Sequence, residues 1–75
     1  MMATNEFFIA TNVSSNMLVR LERIRRGWRQ IDLAEKAGVT QAEVSAFERG
    51  LYIIPSARHR ILAVLDLLDN DNERD

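Results

Sequence analysis

Apolar residues recur through the body of the chain at helical spacing, and no segment there alternates in the manner of a half-buried strand. Met17, Leu21, Ile24 and Trp28 fall at i, i+4, i+7 and i+11, one stripe of a first helix that Ser14 or Ser15 caps and Gly27 stops. A second helix is predicted over 30–37, carrying Ile31, Leu33, Ala34 and Ala37 and ending at Gly38, the residue type best able to take a left-handed turn. Thr40 opens a third. Thr40-Gln41-Ala42-Glu43 has the spacing of a capping box, in which each end satisfies a backbone donor of the other. Val44 and Phe47 then face inward and Gly50 ends the helix. After a loop over 51–55, Ser56 is expected to cap a fourth helix whose buried face is Ala57, Ile61, Val64 or Leu65, and Leu68. The predicted architecture is all-α, without internal repeat.

Charge changes this picture only when the chain is divided. The net charge of −1 is the wrong sign for a chain that sits on phosphates. Between Ser15 and Leu65, however, nine basic residues stand against five acidic ones, a net +4, while the last ten residues carry −4 and Glu6 the remaining −1. Three regions follow: an N-terminal extension over 1–14, a domain over 15–68, and an acidic tail over 69–75 that reads as a solvated end. The extension contains Phe7-Phe8-Ile9, expected first to fold back on the domain, next to pair as a strand with a second subunit, and last to form a disordered arm. A domain of this length buries only about 60% of its unfolded surface, so dimerisation would help it.

The order Gln30, Leu33, Ala34, Gly38, Val39, Thr40, Gln41, Val44, Phe47 resembles the helix-turn-helix of the lambda-repressor-like, Cro-type family, also called the XRE family. The resemblance runs over roughly residues 17–68. It implies a compact bundle of four to five helices, with the helix-turn-helix formed by helices two and three. Ala34 is small where the second helix crosses closely, Gly38 makes the turn, and Val44 and Phe47 lock the third helix down. Two departures stand out. Arg29 occupies the position where relatives place a Ser, Thr or Asn cap, leaving that job to Asp32 or to a bound phosphate. Leu51-Tyr52-Ile53-Ile54 is apolar where relatives carry polar or basic residues, so this loop is expected to pack. Relatives also bury an arginine of helix one against a glutamate ending helix three. Glu48 matches the glutamate, and the family register puts Arg23 opposite it, whereas the apolar stripe favours Arg25 at its edge.

In this motif the third helix lies in the major groove with its N-terminal residues on base edges. The resemblance thus makes Gln41 the leading base reader, since its amide can bond both N6 and N7 of adenine. Ala42 and Ala46 suit thymine methyl groups, Ser45 suits either strand, and Glu43 is divided between cytosine N4 and its capping partner, with the cap favoured. Gln30 and the positive end of helix two are assigned to a phosphate, with Thr40, Arg29, Arg49 and Arg58 as further clamps. Nine of the ten basic residues are arginine, whose rigid fork suits phosphate.

Other chemistry is not expected. The chain has no cysteine and one histidine, His59, so no metal or other cofactor is predicted, and Ser, His and Asp are not spaced to assemble a nucleophile. No apolar run approaches the ~20 residues that span a bilayer, and the first residues lack a secretory signal, so a cytoplasmic, nucleoid-associated protein of bacterial or phage origin is expected. Two functions remain open. One is a dimeric, sequence-specific regulator of double-stranded DNA, a repressor on an inverted repeat. The other is a protein-interaction module of the same fold, of antitoxin or bridging-factor type, working through Leu51, Tyr52, Ile53 and Ile54. Leu67, taken to lie on the outer side of helix four, joins that surface in the dimeric reading.

Overall fold

The computed structural model describes residues 14–68. Four helices follow in order: α1 (Ser15–Arg25), α2 (Gln30–Ala37), α3 (Gln41–Glu48) and α4 (Pro55–Val64), with no strand among the described residues. The fold is the expected all-α bundle. Helix α2 packs against both α3 and α4, and α1 leans on α3. Their shared core is Val19, Leu33, Ala34, Val44, Phe47, Ile61, Leu62 and Leu65, all nearly or fully excluded from solvent, with Ala37 and Leu67 at its margin. Trp28, Val39 and Ile53 pack partly against it. The extension and the acidic tail proposed from sequence lie outside the described residues, apart from Ser14.

All four helices end in one way. A residue with positive φ follows each (Gly27, Gly38, Gly50 and Asp66), and the next backbone N–H donates to a carbonyl five residues back. After α2, for example, Val39 N bonds the Ala34 carbonyl at 3.0 Å, and Gly38 at φ 73° supplies the left-handed bend that turns the chain into α3. These reverse turns satisfy carbonyls that a helix end leaves without partners.

The face of α1 is the main surprise. Met17, Leu21 and Ile24, expected to point inward, are 47%, 50% and 53% exposed, while Val19 is fully buried and Arg23 points into the bundle. The inner stripe is Asn16, Val19 and Arg23, at i, i+3 and i+7. Two of those three are polar, so hydrophobic periodicity selects the opposite face. Of that stripe only Trp28, past the helix end, packs partly on the core.

Three further expectations at the C-terminal half are corrected. Helix α4 begins at Pro55 with Ile54 as its N-cap, not at Ser56. Proline lacks the N–H that a first turn cannot pair and already has helical φ, so it starts the helix unaided. Helix α4 also stops at Val64, short of Leu68, because Asp66 takes φ 61°. That reversal swings Leu67 into the core at 7% exposure, and its N–H bonds the Leu62 carbonyl at 2.8 Å, so Leu67 is not on an outer surface. Finally, the loop after α3 does not pack as a unit. Ile53 does, but Leu51, Tyr52 and Ile54 are exposed.

Asp66 carries a strain that the other three turns avoid by using glycine. Aspartate tolerates the left-handed region better than most residues but still sits there at a cost. Replacing Asp66 with Gly should raise unfolding free energy by up to about 1 kcal/mol, and replacing it with Val should lower it by about 1–2 kcal/mol. Urea denaturation of the three chains checks the order Gly, Asp, Val.

Candidate nucleic-acid interface

Helix α3 is fixed at its start by its own side chains. Thr40 Oγ1 accepts from Glu43 N at 3.1 Å, and Glu43 Oε1 accepts from Thr40 N at 2.9 Å. Both halves of the capping box are made, so Glu43 has the local job. Val44 and Phe47 are buried beneath the helix. Thr40, Gln41, Ala42 and Arg49 are exposed, while Ser45 and Ala46 are half-buried on its flanks. The amide of Gln41 therefore stands at the outer edge of a helix whose underside is held in the core.

The far end of α3 is held by a buried ion pair. Arg23 Nε donates to Glu48 Oε2 at 2.6 Å and Arg23 Nη2 to Oε1 at 3.0 Å, a two-pronged contact between side chains only 12% and 4% exposed. Arg23 Nη1 also donates to the Trp28 carbonyl at 2.8 Å. Gln30 Nε2 adds a bond to Glu48 Oε1 at 3.2 Å, and Asn16 Nδ2 donates to the Glu48 carbonyl at 3.4 Å. Glu48 thus joins α1, α2 and α3, and Arg23 ties in the α1–α2 turn. No buried side-chain nitrogen or oxygen among the described residues lacks a partner. Hydrogen bonding to the Glu48 side chain raises the Arg23 pKa above its ordinary value, so the guanidinium keeps its charge in spite of its burial. Arg25, the partner suggested by the apolar stripe, instead meets Glu22 on the surface at 2.9 Å.

At the start of α2, Asp32 makes only its own half of a capping box. Its Oδ2 accepts from Arg29 N at 2.7 Å, closing half a capping box, and the carboxylate also binds the Arg29 guanidinium at 3.0–3.1 Å. Arginine carries no acceptor for the other half. The Arg29 side chain and, after it, the Arg29 backbone N–H hold the Asp32 carboxyl well below its ordinary 3.8, at about 2. The Asp32 carboxylate thus partly neutralises Arg29, but it binds the Arg29 N–H and guanidinium rather than the first-turn N–H groups of α2 that a bound phosphate would meet. Gln30 spends one amide N–H on Glu48, a structural task in addition to any phosphate contact.

The remaining cations differ in how committed they are. Arg49 caps the C-terminus of α3, is exposed, and has no side-chain hydrogen bond or ion pair among the described residues. Arg58 stacks 5.0 Å over the Phe47 ring, beneath α3. Arg60, not singled out by any motif, donates to the Gly38 carbonyl at 3.3 Å beside the turn. Arg26 and Lys36 lie 5.5 and 4.9 Å over the Trp28 ring, which is half-buried and covered by cations. His59 is exposed, and no group of His, Cys, Asp and Glu among the described residues is arranged to hold a metal. No described helix is long and apolar enough to cross a membrane.

Sequence pattern finds neither Asn16 nor the inward Gln30 amide, because each acts through a carboxyl or carbonyl more than fifteen positions away. Spacing within α1 alone could have flagged Asn16, Val19 and Arg23 as a stripe, but with one apolar member it carries no hydrophobic signal.

Two measurements test this electrostatic frame. Removing either partner of the buried pair, by Arg23→Met or Glu48→Ala, should cost about 3–5 kcal/mol in urea unfolding because it strands a desolvated charge. Removing Glu22, whose partners are the exposed Arg25 and the half-buried Arg26, should cost at most about 1 kcal/mol. For Asp32, the folded-state pKa is depressed, so its stabilising contribution is present above the ordinary 3.8 and is lost as pH falls through about 2. A carboxyl-carbon NMR titration should find its midpoint near about 2, and Arg29→Ala should move it part of the way back toward 3.8.

Set against known families, residues 19–59, more than half of the chain, match the helix-turn-helix family model. No curated protein and no solved structure matches the chain significantly. The matched span runs from the buried Val19 to α4 and contains α2, the Gly38 turn, α3 and both residues of the Arg23–Glu48 pair. The chain belongs to the XRE-type helix-turn-helix family, whose members are DNA-binding transcription regulators.

Proposed function

We propose that this DNA-binding regulator is a sequence-specific repressor that binds an inverted-repeat operator as a dimer, with α3 in the major groove. The observation that carries the reading is the attitude of α3: Gln41 and Ala42 exposed at its N-terminal edge, Val44 and Phe47 buried below, and a capping box and an ion pair at its two ends. A base-reading helix needs that rigidity, since each bidentate contact depends on placement.

Gln41 bonds adenine in this reading, Ala42 and Ala46 meet thymine methyl groups, and Ser45 bonds either strand. Glu43 contributes least to base recognition, because its carboxylate is already engaged with Thr40. Phosphates are held by Thr40, Arg49 and Arg58, together with Gln30 at the opening of α2. Arg29 joins them through the guanidinium N–H groups that Asp32 does not use, its charge partly offset by that carboxylate. Two reading helices about 34 Å apart then meet successive major grooves on one face of the duplex.

A second reading rests on one specific observation. Leu51, Tyr52 and Ile54 are 54%, 81% and 51% exposed beside α3, an apolar surface that suits either the second subunit or another protein. If that surface serves a foreign partner, the chain is an interaction module with DNA contact secondary.

Gel shifts across a salt series separate the two. A regulator loses affinity steeply as salt rises, roughly in proportion to the phosphates it neutralises, whereas an interaction module shows no operator complex to weaken. Within the first reading, Gln41→Ala should relax preference at one base position by about 1–3 kcal/mol, and Arg49→Ala should weaken all sequences alike while flattening the salt slope by about one.

A further inference from the structure

The outer face of α1 is apolar and uncovered. Met17, Leu21 and Ile24 line up one turn apart, each about half exposed, on the side of the helix opposite the buried Val19 and the inward Arg23. Leaving three adjacent large side chains in water is costly, and a domain this small has little core to spare. We infer that this stripe is the docking surface for the chain's own Phe7-Phe8-Ile9 segment.

Four considerations select that occupant. The first is connection: the thirteen residues that precede the described part lead directly into Ser14, at the foot of the same helix. The second is reach. At 1.5 Å per residue, the stripe lies about 4.5 to 15 Å along α1 from Ser14. Ile9 and Phe7 stand five and seven residues before Ser14, an extended reach of about 17 to 23 Å, enough to double back over it. Thr11-Asn12 supplies residues suited to that reversal. The third is charge. Glu6, the sole charged side chain before Ser14, adjoins Phe7, and the exposed Arg20 flanks the stripe. The fourth is size. Three half-exposed side chains fall well short of the roughly 800 Å² per partner that a stable interface buries, so they suit a short segment of the same chain better than a second copy. The docking is separate from the proposed DNA contact, since it uses neither α2 nor α3.

Methyl NMR on the full chain tests it. Ring currents from Phe7 and Phe8 should shift the Met17, Leu21 and Ile24 methyl resonances upfield, equally at low and high protein concentration. The triple variant F7S/F8S/I9S should return them to ordinary positions while the Val44 methyls, in the core, stay where they are and report an intact fold. As a second readout, Leu21→Gln with Ile24→Gln should lower the thermal midpoint by several degrees in the natural chain and leave it unchanged in F7S/F8S/I9S. Two results overturn the inference: stripe methyls indifferent to the triple variant, or shifts that follow protein concentration, which would give the face to a second copy.

Discussion

The Arg23–Glu48 pair is the constraint on which the rest of the structure depends. Two charges taken out of water are held by geometry: a two-pronged contact, a third arginine donor spent on the Trp28 carbonyl, and amide donors from Gln30 and Asn16 on the glutamate. A buried pair of this kind adds little net stability over an apolar substitute, but it is costly to break and admits few alternatives. Its effect is orientation. Glu48 ends α3, so the partners it collects from α1 and α2 fix the angle at which the helix leaves the core. Arg23 in turn decides which face of α1 is inner, and so leaves Met17, Leu21 and Ile24 outside.

The other end of α3 is set by chemistry that is entirely local. Gly38 bends the chain, Val39 closes the turn on the Ala34 carbonyl, and Thr40 with Glu43 satisfies the first amides. Between these two anchors the helix has only eight residues, Gln41–Glu48, of which Val44 and Phe47 supply the apolar grip. The result is a short rod with little freedom to roll. Charge is handled with the same economy. The domain's positive excess is reduced where Asp32 holds Arg29 and where Glu22 holds Arg25 and Arg26, while Arg49, at the end of α3, is uncommitted among the described residues.

Which parts of this were legible follows from the range of the interactions. Helices α2 and α3 and the turn between them were legible because their signals span four residues or fewer: a glycine after Ala37, a capping box at Thr40, a small residue at Ala34. Asp32 as a partner for the Arg29 N–H was legible for the same reason. The inner face of α1 was not, because it is defined by a side chain 25 positions away, and hydrophobic periodicity assumes that the apolar face is the buried one. The family register found Arg23 where periodicity pointed to Arg25. The place of Leu67 was hidden by a backbone choice: an aspartate in the left-handed region gives no advance sign of turning the chain inward. The start of α4 at Pro55 was within reach, since proline favours the first helical position, but Ser56 offered a competing cap.

The most direct measurement is selection of random duplexes by the full chain, followed by sequencing of what it retains. If α3 is the rigid probe that its two anchors imply, selection returns two inverted half-sites whose centres lie about one helical turn apart, with an adenine at the position that Gln41→Ala relaxes. Retention of duplexes with no enriched sequence, or an enriched motif that Gln41→Ala leaves intact, would contradict the account.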